Sequence, residues 1–166
     1  MPFKLAPRLK AFDYVGVHRY FLTICVLNRA AVFTANERVE PMLRQFLRTC
    51  NDRLFAGIAY CFMPDHLHAL VEGTRDDSDF KEFVRIFKQR SSYRWKRQMG
   101  TELWQRGFND RVLRADEDMV TVARYLLNNP VRAGLVQSAH DYPFLGSLTM
   151  DVRDLLDSVQ TTHRRT

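Results

Sequence analysis

The sequence predicts an α+β fold, a ferredoxin-like β-α-β-β-α-β sandwich with an antiparallel sheet and an additional C-terminal helix that carries Tyr125. Three observations predict it. Runs rich in β-branched and aromatic residues occupy 19–27, 55–63 and 66–72. Helical apolar spacing fills the gap between the first two runs and follows the third. A further strand-like stretch and a further helix then complete the order. The 166 residues fit one domain, 1–166, with a core over about 14–146 and a polar tail over 147–166. Only 7 Gly and 6 Pro leave no material for a flexible linker.

Each element has a local cause. RYFLTICVL (19–27) reads as the first strand. Asn36 is the expected cap of a helix running to about Asn51, with Val39, Leu43, Phe46 and Leu47 on one face. FAGIAYCFM (55–63) reads as the second strand, Pro64-Asp65 as a turn, and HLHALVE (66–72) as the third strand. Asp76, Asp77 and Asp79 suit the positive end of the next helix, whose stripe is Phe80, Phe83, Val84 and Phe87. LWQRGFNDRVLR (103–114) reads as a loop and a fourth strand. Asp116, Glu117 and Asp118 open a helix that Pro130 is expected to end. Residues 134–143 read as a packed return, and 151–159 as a short helix before a frayed end at His163, Arg164 and Arg165.

Charge points to a polyanion. Of 25 cations 20 are Arg, whose flat fork of donors matches phosphate oxygens. Residues 81–114 hold ten cations and three anions, a net of +7, so the rest of the chain nets −1. Arg85, Lys88, Arg90, Arg94, Lys96 and Arg97 are the candidates to meet backbone phosphates. Tyr93, Trp95 and Trp104 can stack on bases, although core packing is the plainer fate of each tryptophan. Cys25, Cys50 and Cys61 lie in apolar runs without CxxC spacing, which excludes a disulfide scaffold and reads as buried thiols. No stretch approaches the ~18 uncharged apolar residues of a membrane span, and the start lacks a signal-peptide core. The expected location is the cytoplasm, at the nucleoid if the partner is DNA.

His66 and His68 stand two apart on the third strand, so both imidazoles face one way and can hold one metal ion. The plainer reading is a pair facing solvent or filling a polar pocket. Glu72 shares their face by even spacing and reads more simply as a surface acid. In ADEDMVTVARYLLNNP, Met119, Val122, Ala123 and Leu126 form the buried stripe, while Thr121, Tyr125 and Asn129 share another side. Asn129 precedes Pro130 and can simply end the helix with its amide.

AYCFMPDHLHALVEG resembles the His-hydrophobe-His signature of the IS200-like (Y1, HUH) transposases. LWQRGFNDRVLR followed by RYLLNNPVRAGLV is similar to the C-terminal signature of their REP-associated tyrosine transposase branch. The match spans about residues 14–146. Asp65 stands where that family often has Asn, which adds a negative charge and removes no ligand. The resemblance implies that His66, His68 and Asn129 are metal ligands and Tyr125 the nucleophile. It implies that Trp104, Gln105, Arg106 and Arg111 contact DNA or support the site. The implied cofactor is a divalent metal ion, Mg2+ or Mn2+. The implied partner is single-stranded or hairpin DNA at repetitive extragenic palindromes, and the implied assembly a monomer or a homodimer.

The expected activity is metal-dependent cleavage and rejoining of single-stranded DNA through a covalent 5′-phosphotyrosine. Two other readings compete with it. One is a domesticated, non-catalytic hairpin DNA or RNA binder of the same fold, which would have lost at least one of His66, His68, Tyr125 and Asn129. The other is an unrelated ferredoxin-like RNA binder, which leaves the His pair and the Tyr-x-x-x-Asn spacing unexplained.

Overall fold

The first three strands of the chain form the middle of the sheet, in the order β1-β3-β2, and their side-chain alternation decides what each face packs against. β1 (Arg19–Cys25) pairs antiparallel with β3 (His66–Gly73), which pairs antiparallel with β2 (Phe55–Met63). β4 (Asn109–Val112) adds to the free side of β1, and a two-residue β5 (Leu145–Gly146), unforeseen from sequence, adds to β2. The order is β4-β1-β3-β2-β5, antiparallel throughout. This computed structural model describes residues 9–157. The first eight residues, the end of the expected 151–159 helix, and His163, Arg164 and Arg165 lie outside the described residues.

One face carries Tyr20, Leu22 and Ile24 from β1 with Leu67, Ala69 and Val71 from β3, all buried. Helices α1 (Asn36–Asp52) and α2 (Phe80–Met99) cover it, with Phe46, Phe83 and Phe87 reaching in. α2 begins where Phe80 stacks on Tyr20, ring centroids 3.8 Å apart. Asp79 caps it by accepting from the Glu82 amide, and Gly100 at φ 73° ends it in the left-handed conformation that suits glycine.

The opposite face carries Phe21 and Leu70 with Ala59, Cys61 and Met63. A bulge at Gly57/Ala59 also brings Ile58 into that cluster. Helix α3 (Met119–Leu127), capped by Asp118, lays Val122, Ala123 and Leu126 over it. A short α4 (Asn129–Arg132) and α5 (Val152–Asp157) follow, and Leu155 of α5 is buried in the same cluster. The molecule is therefore three layers, with the Tyr125 helix on the far side of the sheet from α1 and α2.

Three local expectations change. Ala35, not Asn36, is the cap position of α1, and the Asn36 amide instead reaches Glu40. The inward stripe of α1 uses Met42 and Cys50 beside Val39 and Phe46, and leaves Leu47 exposed. α3 stops at Leu127 with Asn128 as its C-cap, so Pro130 does not end that helix but sits at the start of α4, where its missing N–H costs no hydrogen bond. No helix among the described residues is long and apolar enough to cross a membrane.

Candidate functional site

β3 presents His66 and His68 on the face that α3 covers, next to the aliphatic cluster of Leu70 and Met63. Their Nε2 atoms face each other at 2.9 Å. Each ring is held from behind through its other nitrogen. His66 Nδ1 lies 2.6 Å from Asp65 Oδ1, and His68 Nδ1 lies 2.9 Å from Thr23 Oγ1. Thr23 is there because β1–β3 pairing sets it opposite His68, and residues directly opposite share a face. Phe21, two residues back on β1, meets the His68 ring edge-to-face.

The electrostatics keep the pair neutral near pH 7. Burial drives His68 down to about 3, and the neighbouring His66, Arg132 and Arg29 add to the shift. Burial also lowers His66, against the opposing pull of the Asp65 hydrogen bond. Burial alone would raise Asp65, but His66 and Arg29 override it and hold the carboxyl below its ordinary range. Neutral imidazole is the form that binds metal.

α3 and α4 bring the other members. Tyr125 is half-buried on α3, beside the cluster that contains Leu126 and Leu70. The Arg132 guanidinium lies over its ring, 3.7 Å from the centroid, and donates to Asn129 Oδ1 at 2.9 Å. The Arg132 charge also contributes to the lowering of His68, after burial and His66. The Asn129 amide nitrogen donates to Leu126 O at 3.0 Å, beside the Asn128 C-cap, and its oxygen, which accepts from Arg132, keeps a second lone pair.

The His pair suits a divalent ion: two imidazole nitrogens converge on one point with both outer nitrogens engaged. No group of three or more His, Cys, Asp or Glu suited to a metal occurs among the described residues.

The remaining candidates divide. Arg85, Lys88, Arg90, Arg94, Lys96 and Arg97 all lie on α2, in the layer behind the sheet. Several are already engaged: Arg85 with Glu82, Arg90 with Asp52, Lys96 with Glu102. Lys88 donates to the carbonyls of Gln105 and Gly107 at 2.9 and 2.6 Å, so it pins the 105–107 loop. Arg94 and Arg97 are exposed near the end of α2, with Arg97 over the exposed Tyr93 ring. Trp104 is buried between Phe33 and Phe87, and its indole N–H donates to Ser91 at 2.7 Å; it supports the fold and offers no stacking face. Trp95 is buried likewise. Gln105 and Arg106 are exposed, and the Gln105 amide bonds Cys25 O, at the His66 end of β1. Arg111 pairs with Glu117 at 2.7 Å on the sheet face of the His pair. Glu72 is four residues, about 13 Å of strand, beyond His68 and pairs with Arg19, so it does not join the site. The three cysteines are buried free thiols.

Thr23, Arg29 and Arg132 were not singled out from sequence. Strand register, which places Thr23, is not written in one chain. Arg29 carries no motif. Arg132 lay inside the NPVRAGL segment without a distinguishing signal of its own.

Comparison with known proteins adds the following. A family model described as "Transposase IS200 like" matches residues 14–129. A Haemophilus influenzae protein provisionally named a REP-associated tyrosine transposase is 28% identical over 157 residues, covering 85% of each chain. The REP-associated tyrosine transposase of Escherichia coli is 26% identical over 132 residues, 79% of this chain and 77% of the relative. Among solved structures, a REP-associated tyrosine transposase bound to a REP hairpin superposes with a TM-score of 0.69 at 22% identity, covering 84% of this chain and 82% of that one. That likeness supports the fold.

Proposed function

The chain belongs to the IS200-like transposase family, enzymes that cut and join DNA, and from that premise we propose that it cleaves and rejoins single-stranded DNA at hairpin-forming palindromic repeats through a 5′-phosphotyrosine on Tyr125. The observation that carries the reading is the opposed Nε2 pair of His66 and His68 on the sheet face covered by the Tyr125 helix. The relatives named REP-associated tyrosine transposases, and the solved relative bound to a REP hairpin, support the choice of substrate.

Mg2+ or Mn2+ held by His66, His68 and the Asn129 oxygen would offset the charge that builds on a non-bridging phosphate oxygen during transfer. The chain's own residues do the rest. Asp65 and Thr23 keep the imidazoles turned toward one another. Arg132 holds the phenol ring by its face and steers the Asn129 oxygen. Tyr125 Oη attacks phosphorus, the bond from phosphorus to the 3′ oxygen breaks, the phenolic proton leaves, and the 3′ oxygen takes a proton. A 3′-hydroxyl then reverses the step and releases the tyrosine without ATP. Exposed Gln105 and Arg106, near the His66 end, would receive the strand beside the site, and exposed Arg94 and Arg97 on α2 would meet phosphates further along it. The protein works at the nucleoid as a monomer or homodimer.

Incubation with labelled single-stranded REP-type hairpins and Mn2+ or Mg2+ should yield a covalent band on a denaturing gel. Tyr125→Phe should remove that band and leave hairpin affinity within about twofold, because it deletes only the attacking oxygen. Adducts that persist in this variant refute the assignment.

A further inference from the structure

The segment after β1 adopts an unfavourable backbone. Asn28 and Arg29 are consecutive non-glycine residues at φ 56° and 54°, in the left-handed region that Asn tolerates and Arg disfavours. Hydrogen bonds lace this segment to the turn before β3. Val26 N donates to Asp65 O at 2.9 Å, and Val32 N and Phe33 N both donate to Pro64 O at 2.9 and 3.0 Å.

The bend turns the Arg29 side chain back over the turn. Its Nε donates to Asp65 Oδ2 at 2.9 Å, and its Nη1 lies 2.8 Å from Cys25 Sγ. The other oxygen of Asp65 faces His66 Nδ1 at 2.6 Å. An ionised carboxylate only accepts, so Nδ1 must carry the proton, and the lone pair goes to Nε2, the atom that faces His68.

We propose that Arg29 and Asp65 are positioning residues: Arg29 anchors the Asp65 carboxylate, which holds His66 in the Nδ1–H form and so presents a bare Nε2 to a divalent cation. The cation belongs to the reading given above; the tautomer stands without it. The role differs from simple attraction of a cation by negative charge, because it needs an acceptor oxygen at Asp65 rather than a charge there. The left-handed pair at 28–29 is then the backbone geometry that delivers the guanidinium.

Two readouts test this. Long-range 1H–15N correlation spectra of the metal-free protein at pH 7.5 report the tautomer of His66, and Mn2+ titration reports affinity. The wild type should show His66 as Nδ1–H. Asp65→Ala should mix the tautomers and weaken Mn2+ binding by about tenfold or more. Asp65→Asn keeps an acceptor oxygen and should retain most of both. Arg29→Met, which keeps the aliphatic stem, should loosen Asp65 and give a partial loss of the Nδ1–H form, and it reads the same relay if Asp65→Ala fails to fold. A wild-type His66 found as Nε2–H overturns the proposal. So does an Asp65→Ala protein with an unchanged tautomer, or an Asp65→Asn protein as impaired as Asp65→Ala. If the wild type binds no Mn2+, the metal reading fails while the tautomer test still decides the relay.

Discussion

The two faces of the sheet are built from the same three strands and obey opposite rules. Under α1 and α2, every inward position on β1 and β3 is apolar, and aromatic rings fill the layer: Tyr20 on Phe80, Phe55 on Phe83, Phe46 edge-on to Phe87. Under α3, apolar packing covers Phe21 and Leu70 but gives way, one register further along, to Thr23, His68, Cys25 and His66. One face stabilises the chain by burial. The other interrupts that burial to keep two imidazoles neutral and facing each other. The comparison teaches that the site occupies a gap in the core, at the strand ends where a continuous apolar layer would otherwise be.

Truncating one side chain on each face should separate the two roles. His68→Ala should lower metal-dependent cleavage by more than about 10³-fold, as removal of a member of an interdependent catalytic set does, while the urea midpoint stays near that of the wild type. Cleavage unchanged by this substitution would break the comparison at its root. Phe83→Ala should do the reverse. It empties a fully buried site between Phe46 and Phe55 and should cost about 3–5 kcal/mol of stability, measured by denaturant unfolding, with adduct formation preserved below the unfolding range. A small loss would mean that the aromatic layer can collapse into the gap.

The aromatic face was legible because period two and period 3.6 both print directly onto the sequence. Phe80, Phe83, Val84 and Phe87 were read as a stripe, and all four are buried. The facing of His66 and His68 was legible from their spacing, and Tyr125 enters as a candidate from family resemblance alone. What surrounds them was not. Thr23 reaches His68 only through strand register, and Arg29 reaches Asp65 only through a left-handed bend that Asn28 tolerates but that nothing about Arg29 announces. Net charge shows the +7 of residues 81–114 but not its placement: seven of its ten cations lie on α2 behind the sheet, where Lys88 and Lys96 engage the 102–107 stretch of the same segment and Arg90 engages Asp52. Distance along a helix is readable from one sequence; which layer that helix joins is not.

The polar gap should also leave a mark on stability against pH. His68 titrates near 6.5 when unfolded and near 3 when folded, so between those values the unfolded chain binds more protons and stability rises with pH. The contribution is fully present above about pH 6.5 and is lost as pH falls. A single such group sets a slope of at most about 1.4 kcal/mol per pH unit. Urea midpoints of the metal-free protein at pH 7.5, 6 and 5 should therefore fall more steeply for the wild type than for His68→Gln. Part of the slope should survive in the variant because burial lowers His66 too. Identical slopes would place His68 in contact with water rather than in the core gap.

The smallest effect is expected on the face that looked most like a nucleic-acid surface. Arg85 donates to both oxygens of Glu82 one turn earlier on α2, at 2.6 and 2.8 Å, with Arg85 exposed and Glu82 half-buried. A surface pair of this kind adds little to stability, and its partner already satisfies the guanidinium. Arg85→Gln should leave the thermal midpoint unmoved and change hairpin affinity by less than about twofold. Arg106→Gln, at an exposed position near the His66 end, should weaken binding further and flatten the dependence of log affinity on log salt by about one phosphate contact. If Arg85→Gln instead carries the larger salt effect, the Glu82 pair opens on DNA, and the strand crosses the α2 layer before it reaches the histidines.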